Sequence, residues 1–177
     1  MSLYGLTPKK KNALNARPVH RLGDVIEALK PTTAELVLFG HAFAGSDTTS
    51  AIFNFGKTVF FSKLEKCREL RLIAKEFYSD DVSPEEIGKY AEDVFRLIFA
   101  TGKKQSIAEI RHSKYENMVI SDRKSLDPAY LPPTARAAHF HGQRVYHQLK
   151  VWRNLSDQDE NPSSWGWKLE KKIISCL

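Results

Sequence analysis

Two short segments, Ser83-Pro84-Glu85-Glu86 and Ser106-Ile107-Ala108-Glu109, constrain the fold more than any other part of the sequence. Each offers a hydroxyl that can accept from a backbone amide three residues on, and a glutamate that can reach back to the first free amide. Pro84 adds a fixed φ at the first helical position. Both are helix starts, and the residues after them keep helical spacing. Ile87, Tyr90, Ala91, Val94 and Ile98 run to a stop at Gly102, while Ile107, Ile110, Tyr115 and Met118 extend the second helix. No alternating strand pattern of any length precedes the final residues. The expected fold is mainly α.

The same reading extends in both directions. Val19, Leu22, Ile26 and Leu29 predict a helix ended by Pro31, and Thr32 or Thr33 is placed to cap the next, carrying Leu36, Val37, Phe39, Gly40 and Phe43. That helix is apolar nearly all round and is predicted to be the buried centre of the domain. Lys57 to Leu64 and Cys67 to Phe77 read as helices with Val59, Phe60, Leu64, Leu70, Ile73 and Phe77 inward. Leu131-Pro132-Pro133 is an extended connector, because each residue before proline is pushed out of the helical region. Thr134 then caps a long helix with an apolar stripe of Ala138, Val145, Leu149 and Trp152. Asn161-Pro162 breaks the chain before a short Trp165-Gly166-Trp167 tail.

The organisation expected is therefore a flexible basic lead over residues 1–17, a helical domain over 18–120 with a hairpin element at 45–64, a linker over 121–133, and a long helix with a Trp-rich tail over 134–177 that packs on the domain. Lys9-Lys10-Lys11 in the lead reads as a solvated tail. With 42% hydrophobic residues in 177, the chain has material for one domain core. A net charge of +6 favours an anionic partner. No apolar run reaches the length of a membrane span and no signal peptide begins the chain, so a nuclear or cytoplasmic protein, not secreted, is expected. Cys67 and Cys176 are too few for a disulfide framework or a zinc set and read as reduced thiols.

The chemistry concentrates between Phe39 and Leu64. Gly45-Ser46-Asp47 puts one carboxylate at a chain reversal, and Asn54-Phe55-Gly56 forms a turn opening a helix with Lys57 and Thr58. Free amides, a lysine and a hydroxyl at a helix start suit a phosphate oxygen. The backbone from Asn54 to Thr58, with Lys57, Thr58 and Lys63, is the expected DNA-binding set, making contacts to phosphate that read no bases. Arg136, Arg144, Lys150 and Arg153 add positive charge on an exposed face of the long helix. His139, His141 and His147 do not share a helix face at ligand spacing and are expected at the surface or facing a partner. His41 has two readings: an approach to a phosphate or Asp47, or a core imidazole bonded to backbone. No dinucleotide fingerprint, P-loop, nucleophile elbow or zincin motif occurs.

Gly45-Ser46-Asp47 followed by Phe53-Asn54-Phe55-Gly56-Lys57-Thr58 resembles the helix-hairpin-helix segment of the flap-endonuclease superfamily, nucleases built on a PIN-like domain. The span from Val19 to the C-terminus resembles more closely a group of mobile-element-associated proteins of animal genomes. Its blocks stand here as His41-Ala42-Phe43-Ala44-Gly45-Ser46-Asp47-Thr48-Thr49-Ser50, Phe53 to Lys57, Leu131-Pro132-Pro133-Thr134, Gln148 to Trp152 and Trp165-Gly166-Trp167-Lys168.

The resemblance implies that Asp47 corresponds to a metal-binding aspartate, with Mg²⁺ as the ion, and that the hairpin holds duplex DNA by its backbone. Asn54 stands where the family has a first hairpin glycine, and asparagine is the side-chain-bearing residue that best tolerates positive φ. Hydrolysis by paired metals needs several carboxylates around ions about 4 Å apart. In the family most of those acids lie on strands preceding the Gly-Ser-Asp element, whereas Met1 lies only 46 residues before Asp47 and offers Asp24, Glu27 and Glu35. Asp47 alone holds at most a water-rich Mg²⁺, and its other role is to cap the Thr48-Thr49-Ser50 turn.

Three readings follow. The first is a DNA-backbone-binding module without sequence preference, a truncated and catalytically incomplete remnant of a mobile-element-derived flap-endonuclease-like nuclease that requires no cofactor. The second is a protein-interaction or structural helical domain without DNA binding. The third is a Mg²⁺-dependent nuclease completed by another chain.

Overall fold

The Ser83 hydroxyl accepts from the Glu86 amide at 3.3 Å while the Glu86 carboxylate accepts from the Ser83 amide at 3.1 Å. Ser106 and Glu109 make the same reciprocal pair at 3.2 and 2.7 Å. Both predicted helix starts are thus present in the computed structural model, which describes residues 4–6, 19–21, 31–52, 55–100, 105–121, 127–155, 161–170 and 173–176. The chain divides into two compact units, Met1–Glu35 and Leu36–Leu177.

In the first unit, β1 (Tyr4–Leu6) pairs antiparallel with β2 (Val19–Arg21), Gly5 opposite His20, and α1 spans Pro31–Ala34. Val19 therefore begins a strand, which corrects the helix expected from it; Val19 and Leu6 face each other across a ladder whose register the helical spacing did not anticipate. Leu22, Asp24, Ile26, Glu27 and Leu29 lie outside the described residues. Thr32 and Thr33 sit inside α1 and are not caps. Pro31 opens a helix, as its fixed φ and missing amide allow at a first position.

The second unit is helical: α2 (Val37–Phe43), α3 (Lys57–Lys66), α4 (Arg68–Glu76), α5 (Pro84–Phe99), α6 (Ile107–Ile120) and α7 (Ala135–Trp152). A hairpin of β3 (Trp167–Glu170) and β4 (Ile173–Cys176) ends it. The mainly α class with a small hairpin tail is what the sequence predicts. No helix among the described residues is long and apolar enough to cross a membrane.

Phe43 is the hub of the core. Its ring lies 5.2 Å from Phe39, 5.5 Å from Phe60, 5.0 Å from Phe95 and 4.8 Å from the His141 imidazole, joining α2 to α3, α5 and α7. Such offset and edge contacts stabilise by about 0.5–1.5 kcal/mol each beyond area burial. The expected central role of α2 rests on Phe39, Gly40, Ala42 and Phe43, all buried, although Val37 and Leu38 are exposed. Val59, predicted inward, is 47% exposed, because α3 is covered only along the face carrying Phe60 and Leu64. Tyr115 is likewise exposed: it falls five residues past Ile110, off the face that Ile107, Ile110 and Met118 bury.

Helix α7 is the axis of the unit. Ala138, Val145 and Leu149 are fully buried as predicted, and Thr134 caps the helix by accepting from the Ala137 amide at 3.2 Å. Its polar residues depart from expectation. His141, Gln143, Arg144 and Gln148 are buried as well, whereas Trp152 is 38% exposed. Three of these side chains meet backbone acceptors: His141 Nε2 donates to Phe43 O at 3.0 Å, Gln143 Nε2 to Pro84 O at 3.2 Å, and Arg144 Nη1 to Gly166 O at 2.9 Å. Burial with such partners is tolerated where burial without them is not. His141 and Arg144 are thus not surface residues, and Arg144 leaves the predicted exposed cationic face. Tyr146 and Arg153 tie α7 to the 78–80 loop through Ser79 O at 2.8 Å and Tyr78 O at 2.9 Å. The Trp165 ring packs 5.3 Å from Tyr146, holding the tail on this helix.

Candidate nucleic-acid interface

The connection from α2 to α3 runs through residues 44–56 and is organised by Thr49. Gly45 turns the chain at φ +109°, where any Cβ would meet Ala51 Cα at 2.6 Å, so only glycine fits. The buried Thr49 hydroxyl donates to Ala42 O at 2.6 Å and accepts from the Ser46 amide at 2.9 Å and the Ser46 hydroxyl at 2.8 Å. Thr48 donates to Gln148 of α7. Asp47 projects from this knot, exposed. The turn is closed by Ser46 and Thr49, whose hydroxyl accepts from the Ser46 amide, and no hydrogen bond to the Asp47 carboxylate takes part in it, which corrects the capping role expected of Asp47.

Helix α3 begins at Gly56, which has φ −68° and ψ 165° and supplies no side-chain cap. Its carbonyl accepts from Val59 and Phe60 at 3.0 and 3.1 Å. The amides of Lys57 and Thr58 belong to the first turn, which has no internal acceptors. Gly56, Lys57 and Thr58 are all exposed, and the space where a Gly56 side chain would stand is open.

Beside this helix start, the His41 imidazole stacks on the Trp152 indole with centroids 5.5 Å apart and planes 17° from parallel. His41 is held below its ordinary value first by loss of water around the ring, then by the Lys57 cation, with the Asp47 carboxylate acting the other way. His41, Asp47, Lys57 and Trp152 therefore share one electrostatic neighbourhood that joins α2, the 44–56 loop, α3 and the end of α7. At neutral pH its charges are one lysine and one carboxylate, with His41 neutral.

Of the residues predicted to contact DNA, Gly56, Lys57 and Thr58 are brought together and exposed. Asn54 and Phe53 lie outside the described residues. Lys63 is placed elsewhere, its ammonium donating to Ile98 O at the end of α5. On α7, Lys150 lies over the Trp165 ring at 5.6 Å and Arg136 over Phe140 at 5.4 Å. His41 fits neither a phosphate contact already made nor a core imidazole bonded to backbone; His141 holds that second role. Sequence reasoning missed the pairing of His41 with Trp152, since Trp152 was assigned to an inward stripe and neither reading of His41 gave it an aromatic partner. Apolar spacing along one helix does not tell where a second helix ends.

Among the described residues, no group of three or more His, Cys, Asp and Glu side chains converges. Asp47 and Lys57 both act on His41, so one carboxylate and one ammonium share its surroundings. The described residues bring no such cluster to Asp47. Compared with protein-family models, curated proteins and solved structures, the chain matches none of them.

Proposed function

We propose that this chain is a DNA-backbone-binding module without sequence preference, of mobile-element-derived, flap-endonuclease-like ancestry, and that the start of α3 is the end of a helix-hairpin-helix that meets a phosphate. The observation that carries the reading is the uncapped, exposed first turn at Gly56, Lys57 and Thr58. Amides there point along the helix axis at an incoming oxyanion, and the helix dipole and the Lys57 ammonium act in the same direction. Nothing in such a contact distinguishes one base from another. The net charge of +6 adds a long-range attraction for a polyanion.

The test is anisotropy of a short labelled duplex titrated with the protein across a series of salt concentrations. Lys57→Ala weakens binding several-fold and reduces the slope of log K against log salt by about 1, the value for one lost phosphate contact. Thr58→Pro removes one amide while keeping a residue that the first helical turn accepts, and weakens binding without removing a charge. Unchanged affinity in both variants overturns the proposal.

A second reading, a protein-interaction domain, is favoured by a separate observation. Val37 and Leu38 of α2, with Val151 and Leu155 at and just beyond the end of α7, leave large apolar side chains exposed. On that reading neither variant changes DNA affinity, because there is none to change.

A further inference from the structure

A cavity of about 510 Å³ opens between α5, α6, α7, the 127–134 segment and residues 50–52 of the α2–α3 connection; Gly56, Lys57 and Thr58 are not among its lining residues, and it does not rest on the DNA reading. Its size falls within the range of small-molecule sites. Phe95, Ile52, Leu131, Pro132 and Ala137 give it apolar walls. Two guanidinium groups, those of Arg111 and Arg144, line it together with His141, and no Asp or Glu occurs among its described lining residues.

The cations are fixed before any ligand arrives. Arg111 Nη1 donates to Pro132 O on the rim, and Arg144, 3% exposed, donates to Gly166 O. A carbonyl occupies one arm of Arg111 and leaves both its charge and its remaining donors in place. Burial first, and then the Arg144 cation, oppose protonation of His141, so the imidazole is neutral at pH 7 and adds no charge. A planar fork beside apolar walls matches a carboxylate on a hydrocarbon or aromatic body better than it matches a strongly hydrated dianion.

We propose that this cavity binds a small amphiphilic carboxylate, its head group paired with Arg111 and its apolar body against Phe95, Leu131 and Pro132. Arg111 is the recognition residue, and its half-exposed position at the rim admits the ligand. Arg144 lies deeper and orients the head group from the helix axis.

Calorimetric titration of the full chain with octanoate and with 3-phenylpropanoate, each against its neutral amide, tests this. At pH 7.5 at least one carboxylate binds about tenfold or more tightly than its amide, the ratio expected for one charge-assisted contact. Arg111→Gln removes that preference, and Arg111→Lys retains part of it. Ala137→Phe fills the cavity and abolishes binding of acid and amide alike. Circular dichroism and the thermal midpoint establish that each variant is folded. The inference is overturned if neither acid binds the folded wild-type chain, if acid and amide bind equally, or if Ala137→Phe binds as the wild type does.

Discussion

A Cβ placed on Gly142 of α7 would overlap the Ala91 methyl of α5 and stand 3.0 Å from the Ile87 carbonyl oxygen. Ala91 and Gly142 are the point at which the two central helices of the larger unit touch backbone to backbone. Ala138, one turn earlier on α7, is fully buried, and a side chain on Gly88 of α5 would run into the His139 ring. Small residues on both helices set their separation.

Gly142→Ala should therefore destabilise the protein despite the better helix propensity of alanine. Overpacking at such a contact costs about 1–3 kcal/mol, against about 1 kcal/mol gained from propensity. The expected readout is a lower denaturant midpoint with an unchanged slope. Gly56→Ala is the steric control: its Cβ would meet nothing within 4 Å and its φ of −68° suits any residue, which leaves only the small loss from alanine at a helix N-cap. A midpoint for Gly142→Ala equal to that of Gly56→Ala would show that the helices are free to move apart.

Thr49 holds the connection that delivers the chain to α3. Thr49→Val keeps the shape but leaves the buried Ala42 carbonyl without its hydroxyl donor and the Ser46 amide with only the 3.2 Å bond to Thr49 O. The Ala42 carbonyl keeps the Gly45 amide at 3.3 Å, so loss of the hydroxyl donor costs about 0.5–1.5 kcal/mol. Limited proteolysis should then cut between residues 44 and 56 at a protease concentration that leaves the wild-type chain whole. Equal resistance in the two proteins would mean that the Gly45 turn alone orders the loop.

What could be read from the sequence divides along a physical line. Ser83 with Glu86 and Ser106 with Glu109 are local devices complete within four residues, and both are present in the structure. Ala138, Val145 and Leu149 follow one period along one helix and lie where that period puts them. Arg144, His141 and Lys63 were misplaced because their fates are decided by carbonyls far away in sequence, those of Gly166, Phe43 and Ile98. Polarity alone assigns such residues to the surface. The candidate interface was half legible: Gly56, Lys57 and Thr58 follow from turn and helix-start chemistry, while the His41–Trp152 stack is a meeting of two helix faces that no local pattern records. Val19 shows the converse failure, since the residue that opens a helical spacing in the sequence begins a strand that pairs with Tyr4–Leu6.

Lys63 offers a test that separates position from composition. Its ammonium satisfies Ile98 O at the end of α5, where the last carbonyls of the helix have no internal donors. Lys63→Met should lower stability by about 1 kcal/mol and leave both duplex affinity and salt slope at their wild-type values. Lys57→Ala should do the reverse, because Lys57 is exposed and the helix start it adorns does not depend on its side chain. A salt slope that falls equally in the two variants would place the phosphate contact over the whole of α3 and not at its first turn.

His141 makes stability depend on pH. Phe43 O can only accept, so Nε2 carries the proton of the neutral ring, and burial first, then the Arg144 cation, lower its pKa from 6.5 to about 4. In the unfolded chain the imidazole takes up a proton near 6.5, while in the folded chain it stays neutral until about pH 4. Between those values the unfolded state binds more protons, so stability is complete above the unfolded value and declines as pH falls through the window. The full loss is on the order of 3 kcal/mol. His41 contributes in the same direction, since its pKa is also lowered. Glu86 and Glu109, held below 4.5 by their capping bonds, add their own loss only at the acid end. Denaturation midpoints measured from pH 7.5 down to 5 therefore isolate the histidines. His141→Gln can still donate an amide hydrogen to Phe43 O but cannot titrate, so its midpoint should vary much less over that interval than that of the wild type. Parallel curves for the two proteins would mean that His141 gains its proton without leaving the core, and that the packing around Phe43 admits a charge.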